Sequence, residues 1–495
     1  MSKIKFTFIS LIVLLCLIWV TTILHKPVES APRLQKESSQ ISKAADFFVD
    51  STEDLKALGY PDSRKIVRDS KGNLYIAYRK VYRTENSSQR IFVAKSTDDG
   101  ISWSVLNEDE PIETVHAYVQ RVPSLAIDEH DTLHVVWYGL DESTPGHDER
   151  QIKYTRSTDG GLTWTIWRNI APVAGYRGTA LWQEHPTIYV DMKNVIYVVW
   201  QGGDMNHSQI KFIKSVDGGE SWSAWRNIND APTTSYSRPV LVTNHAASVL
   251  YVVAYRNFPG QPQIVWTRSR DGGATWAPWS LVAPDDQDQR HVSAAIDSHD
   301  RLHIVWRQIP NGAQNTAQSS PKVQVHYAMF DGVKWTKPTL PATQPDQYQF
   351  FPSITIDAND QPWLVWTATT EQSDYPREET NTGLIYYTTQ VKGKWQTAIR
   401  LTNTTSTYAS LIREVSTVNP TVDVVWLENR SSSEGLICYY TLDRAFNKIY
   451  TKRSGACEVA APDTPSVTPL PPGTPTKTPK PTSEVGSFPN KRPAP

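Results

Sequence analysis

The sequence predicts an all-β protein, a β-propeller of four-stranded antiparallel blades, seven by the count of its strands, with six as the alternative. Three observations carry this. An eight-residue pattern, S-x-D-[DG]-G-x-[ST]-W, occurs four times, starting at Ser96, Ser157, Ser215 and Ser269. A short apolar strand, usually closed by an aromatic residue, recurs seven times along the chain. Each unit divides into four strand-like segments separated by turn residues. Self-similarity at such a period marks one closed array, even in a chain of 495 residues.

The eight-residue pattern is a turn. An aspartate side chain accepts hydrogen bonds from backbone N–H groups just ahead, and glycine supplies the positive φ of a tight reversal. The tryptophan buries a large surface and carries one N–H that needs an acceptor. Asp98, Asp159, Asp217 and Asp271 are therefore structural, because a catalytic group is needed once and not four times. Remnants of the turn appear later, as DGVKW at 331–335 and GKW at 393–395.

The apolar strands follow in order as LYIAY (74–78), LHVVW (133–137), IYVVW (196–200), LYVVA (250–254), LHIVW (302–306), PWLVW (362–366) and VDVVW (422–426). Continuous apolar runs of this length read as strands covered on both faces. Within a unit the order is an inner strand A, a short turn, strand B, a variable loop, strand C, the glycine turn and an outer strand D. The sequence WRNI, at 167–170 and again at 225–228, represents strand D. Four antiparallel strands repeated radially make a propeller blade. Asp128, Asp191, Asp297 and Asp357 fall at A–B turns, on the same face as the glycine turns. The long B–C loops (80–89, 138–149, 307–321, 367–381) gather on the opposite face, where sites on a rigid scaffold form.

The ends of the chain differ from its body. Residues 6–24 carry no charge and follow Lys3 and Lys5. Such a run approaches the span of a bilayer, and its basic flank directs the remainder outside the cytoplasm. Residues 1–30 read as a retained membrane anchor, or alternatively as a signal peptide cut near residue 28. Residues 31–52 read as a polar tether, 53–458 as the propeller, with a last strand at 448–452, and 459–495 as a Pro/Thr-rich disordered tail. Cys438 and Cys457 are the two cysteines outside the anchor; in an exported domain they are expected to form a disulfide.

The formal net charge of −1 leaves no electrostatic case for nucleic acid. The twelve histidines show no metal-ligand spacing, so no metal and no cofactor are expected, and the chain reads as a monomer. Chemistry instead gathers where strand A begins, near the propeller axis on the loop face. Arg64, Arg121, Arg238 and Arg290 fall at or close to that point in four units, and Glu184 takes it in a fifth. Converging arginines repel unless an anion joins them, and the planar guanidinium grips a carboxylate with two bonds. The alternative is that each pairs with a carboxylate of a neighbouring loop.

The four glycine turns resemble the Asp-box of sialidase-like propellers, and the resemblance extends over residues 60–450. Arg121-Val122-Pro123 is similar to the family's R-I-P. Glu184-His185-Pro186 resembles its Glu-Pro stretch. Arg238 and Arg290 follow, and Tyr408-Ala409-Ser410-Leu411 looks like its tyrosine segment. The resemblance implies an exo-glycosidase acting on terminal acidic sugars of glycans. Arg121, Arg238 and Arg290 would hold the sugar carboxylate, Tyr408 would be the nucleophile with Glu184 as its base, and Asp148 or Asp141 would be the acid/base. Tyr348 competes with Tyr408. Two departures stand out: the R-I-P match precedes the second turn instead of the first, and the first unit reads Ser63-Arg64-Lys65-Ile66. The alternative function is a non-catalytic propeller that binds glycan or protein at the cell surface, followed by a hydrolase or lyase of another glycan specificity.

Overall fold

The computed structural model describes residues 47–442, apart from 83–87, 114–118, 143–149, 174–181, 205–206, 230–232, 258–260, 286, 310–321, 343, 345, 371–381 and 416–419, together with Cys457 and Val459. The expected anchor, most of the tether, the tail and Asp148 lie outside the described residues. Among the described residues no helix is long and apolar enough to cross a membrane.

Seven antiparallel sheets form the ring. Their inner strands are Ile66–Arg68, Gln120–Ile127, Gln183–Val190, Tyr236–Thr243, Asp288–Ile296, Tyr348–Ile356 and Ser406–Leu411, for blades 1 to 7. Strands B and C follow in each blade as hairpin partners. Strand D is short: Ser104–Val105 in blade 1, Arg168–Asn169 in blade 2 and Arg226–Asn227 in blade 3. In blade 5 it is a single bridge from Tyr327 to Thr339. The strand-B tryptophans Trp137, Trp200, Trp306, Trp366 and Trp426 are fully buried between blades, as their apolar runs require.

One sequence assignment is corrected. Phe48–Thr52, placed in the tether, is a strand, and it pairs antiparallel with Glu434–Thr441. It is the outer strand of blade 7; the last strand expected at 448–452 lies outside the described residues. The ring therefore closes by joining the N-terminal strand to the last three. A disulfide between Cys438 and Cys457, with Cα atoms 5.5 Å apart, ties the following chain to the same blade.

The glycine turns staple each blade to the one before it. In the second, Ser157 Oγ donates to Asp159 Oδ1 at 2.7 Å, Gly161 N donates to Ser157 Oγ at 2.8 Å, and Thr163 N and Oγ1 donate to Asp159 at 2.9 and 2.6 Å. The other three repeat this set. The turn tryptophan lies on an aromatic ring in strand C of the preceding blade: Trp222 on Tyr154, Trp276 on Phe212, Trp335 on Trp266, Trp395 on Tyr327. Trp103 of blade 1 lies on Tyr439 of blade 7 and so closes the circle. Their indole nitrogens, for which an acceptor was expected, find none among the described residues. Asp128, Asp191, Asp297 and Asp357 cap the A–B turns on the same face, each accepting two backbone N–H bonds through Oδ1.

Candidate functional site at the loop-face axis

The inner strands of blades 2 to 7 share one irregularity. Each slips register close to its start. The residue inside the slip has a left-handed backbone: Val122 (φ 48), His185 (φ 51), Arg238 (φ 49), His291 (φ 56), Phe351 (φ 52) and Tyr408 (φ 53). Six non-glycine residues in that region represent stored strain. A bulge re-aims a side chain, and here the six turn toward the axis.

Blade 1 contributes differently. The chain between Thr52 and Ile66 runs inward from the rim and delivers Tyr60 to the centre of these six. The Tyr60 ring lies 5.8 Å from His185, 5.4 Å from His291, 5.7 Å from Phe351 and 5.6 Å from Tyr408, centroid to centroid. The guanidinium carbon of Arg238 stands 3.4 Å over its face. Gly59, with φ 64, fits against Val122. Residues 62–65 continue down the channel. Arg64, expected among the anion-binding arginines, is buried instead and donates to Ser353 Oγ, Leu411 O, Ala294 O and Ile354 O at 2.6–3.2 Å, tying blades 5, 6 and 7 together. Lys65 donates to Ser63 and to Pro123 O. At the opposite mouth, Glu414 accepts from Tyr189 at 2.5 Å and Arg413 donates to Ile188 O at 2.6 Å, so blade 7 reaches blade 3 across the axis.

The electrostatics of the cluster are uneven. Burial and the Arg238 charge hold His185 and His291 well below the ordinary histidine range, so both are neutral. Burial raises Asp62, opposed by Arg238 and Lys65; neither Asp62 carboxylate oxygen has a donor among the described residues. Burial pushes Lys65 down to about 7. Burial also works against the charge of Arg238, but Tyr60, Tyr255 and Asp62 outweigh it and lift its pKa above the ordinary value.

Of the residues singled out in the sequence, Arg238 and Tyr408 stand on the axial ring. Arg121, Glu184 and Arg290 lie one residue before the bulge, opposite strand B. Glu184 is ion-paired with Arg150, and its second oxygen is 3.8 Å from His185 Nε2. Arg290 pairs with Asp288 at 2.8 Å; Arg121 makes no ion pair among the described residues. Tyr408 is 2 % exposed and packs on Tyr60 and Phe351. Tyr348 accepts from Lys322 at 3.1 Å, on the inner strand of blade 6. Asp141 is buried near strand D of blade 2 with Lys153 and Asn169, away from the axis. Sequence reasoning missed Tyr60, His185 and His291. The X-Pro pairs at Val122, His185, Arg238 and Phe351 were the available signal.

No family model matches the chain. A curated sialidase of Bacteroides fragilis (strain YCH46) is 27% identical over 184 residues, 32% of this chain and 34% of that protein. The chain is a seven-bladed β-propeller that is similar to this sialidase over part of its length. The match spans about a third of that relative's length. Solved structures repeat the fold. An ulvan lyase of polysaccharide lyase family PL25 has a TM-score of 0.52 at 11% identity, covering 80% of this chain and 94% of its own. The polysaccharide lyase Uly1 has 0.50 at 12%, covering 78% and 90%. The Hadza microbial sialidase Hz136 has 0.45 at 15%, covering 73% and 74%.

Proposed function

We propose that this propeller acts on glycans that carry carboxylated sugars, with Arg238 receiving the carboxylate. One observation supports the reading above all: Arg238 sits at the centre of the loop face, and its buried Nη1 has no acceptor among the described residues. A carboxylate would supply that acceptor with charge-assisted bonds. Arg121 and Arg290 precede the corresponding bulge in blades 2 and 5. In this reading residues 1–30 export the chain and hold a monomeric propeller outside the cytoplasm.

The first chemistry is the one the sialidase resemblance implies, an exo-glycosidase that removes a terminal acidic sugar. Tyr408 attacks the anomeric carbon, Glu184 takes its proton and Asp148 serves the leaving oxygen. It requires Glu184 to leave Arg150 and come within ~3 Å of the tyrosine hydroxyl.

The second chemistry is β-elimination on a uronate, and the neutral histidines favour it. His185 or His291 takes the proton on C5 while Arg238 holds the adjacent carboxylate. The C4–O4 bond breaks, the C4–C5 double bond forms, and a tyrosine hydroxyl protonates the departing oxygen. Neutral imidazole is the form a base needs.

A fluorogenic sialoside and a uronate polysaccharide, the second read by ultraviolet absorbance of its unsaturated product, separate the two. Arg238→Gln is expected to weaken either substrate by roughly ten-fold or more, since hydrogen bonds to charged groups contribute about 1.5–3 kcal/mol. Under hydrolysis, Tyr408→Phe loses turnover and keeps binding. Under elimination, His185→Ala or His291→Ala does so. Binding without turnover of either substrate leaves a glycan-binding module. No binding of any carboxylated glycan overturns the proposal.

A further inference from the structure

Three of the cations near the axis have an acid beside them. Arg79 meets Asp54 at 2.6 Å, Arg290 meets Asp288 at 2.8 Å and Arg150 meets Glu184. Arg238 has no carboxylate at ion-pair distance among the described residues. What lies against it is the face of Tyr60, at 3.4 Å. An acid would hold a guanidinium and cancel its charge, and an incoming anion would then have to displace it. An aromatic face also holds a cation, through the ring quadrupole, but leaves the nitrogen edge of the fork uncommitted.

Tyr60 is built to give such support. Rings from blades 3, 5, 6 and 7 surround it. The segment that carries it is fixed by turns from Ala57 N to Asp54 O and from Gly59 N to Lys56 O, each 3.0 Å, and by Arg79 N donating to Ala57 O at 2.9 Å. Asp62, two residues on, favours the charge of Arg238 from a distance without a direct bond.

We infer that Tyr60 is a positioning residue, whose ring face holds Arg238 in place without neutralising it and so keeps the guanidinium open to a ligand carboxylate. This rests on the reading of Arg238 as the carboxylate's seat. Tyr60 belongs to no blade: it reaches the axis on the link between the closing strand of blade 7 and blade 1.

The test uses the full chain and its variants Tyr60→Phe, Tyr60→Leu, Arg238→Gln and Tyr60→Leu/Arg238→Gln. The probes are methyl glucuronide, the methyl glycoside of N-acetylneuraminic acid, and sulfate as a bare anion. Tyr60→Phe keeps the ring face and is expected to bind within about twofold of the parent. Tyr60→Leu is expected to weaken binding by about two- to thirty-fold, the range of a cation–π contact. Added to Arg238→Gln it is expected to cost nothing more, because its effect passes through Arg238. Unchanged affinity in Tyr60→Leu, or an additive loss in the double variant, overturns the inference. Should Tyr60→Leu not fold, Tyr60→Met, of similar bulk and without a ring, replaces it.

If the parent binds neither sugar, the proposed function falls and the positioning role is read separately. The Arg238 guanidinium resonance, assigned by its loss in Arg238→Gln, should carry a ring-current shift that Tyr60→Leu removes and Tyr60→Phe retains. It should also move on titration with sulfate. A resonance without that shift, or unmoved by sulfate, overturns the inference independently of the glycan.

Discussion

The last glycine of each eight-residue turn meets two demands at once. Gly219 has φ 90, and a Cβ on it would lie 2.0 Å from the Tyr154 hydroxyl of the neighbouring blade. Gly332, in the shorter turn of blade 5, has φ 95 and nothing within 4 Å. Gly219→Ala is therefore expected to cost both backbone strain and displacement of Tyr154, about 2–4 kcal/mol, and Gly332→Ala only the strain, about 1–2 kcal/mol. Calorimetric melting of the two variants checks the difference; equal losses would show that the Tyr154 contact is unimportant. Glu113 is a second residue with a measurable signature. Burial pushes its carboxyl up to about 8, against the pull of Arg90 and of the Ile91 N–H. Between its ordinary value of 4.5 and about 8, the unfolded chain has released the proton and the folded chain keeps it. Its contribution to stability is therefore greatest at or below pH 4.5 and is lost as pH rises through about 8. Glu113→Gln is expected to flatten that part of the melting-temperature profile.

At the scale of elements, the inner strands show how a repeated pattern carries a non-repeated site. The bulge recurs in six blades, but its occupant is Val122, His185, Arg238, His291, Phe351 or Tyr408. The scaffold supplies position, and the individual strand supplies chemistry. The left-handed backbone at these positions is borne by pairing with strand B on either side of the slip and by Tyr60 packed in the middle. The last blade shows a different economy. Its outer strand comes from the N-terminal side and its C-terminal side is tied by Cys438–Cys457, 19 residues apart in sequence. Cys457→Ser is expected to lower stability by about 3 kcal/mol, the loop-closure value for a span of this length. Reductant should lower the denaturation midpoint of the parent to that of the variant; a parent insensitive to reductant would contradict this.

At the scale of the molecule, the ring is closed by three devices in one seam. The strand Phe48–Thr52 pairs with blade 7. Trp103 of the first turn packs on Tyr439. Arg68 of blade 1 is bound to Asp423 of blade 7 at 2.6 Å. The channel is filled rather than open, by Tyr60 and Arg64 from one mouth and by Arg413 and Glu414 from the other. A ligand at the loop face therefore meets a floor of Tyr60 with His185, Arg238, His291, Phe351 and Tyr408 around it.

The sequence alone determined the architecture, since its causes are local. Asp159 hydrogen-bonds residues within four positions of itself, and LHVVW alternates nothing because both its faces are covered. Seven such strands and four such turns specify seven blades without reference to distant residues. The turn aspartates were legible for the same reason, and the Cys438–Cys457 pair because the sequence holds no other cysteine outside residues 1–30. Partners at the axis were not legible, because they lie far apart in sequence. Tyr60 meets Arg238, His291 and Tyr408 only after the ring has closed. Arg64 and Arg238 looked alike in the sequence, both arginines at the start of an inner strand. The tertiary structure separated them: Arg64 is surrounded by four acceptors and is spent on holding blades together, whereas Arg238 rests on an aromatic face that holds it without cancelling its charge.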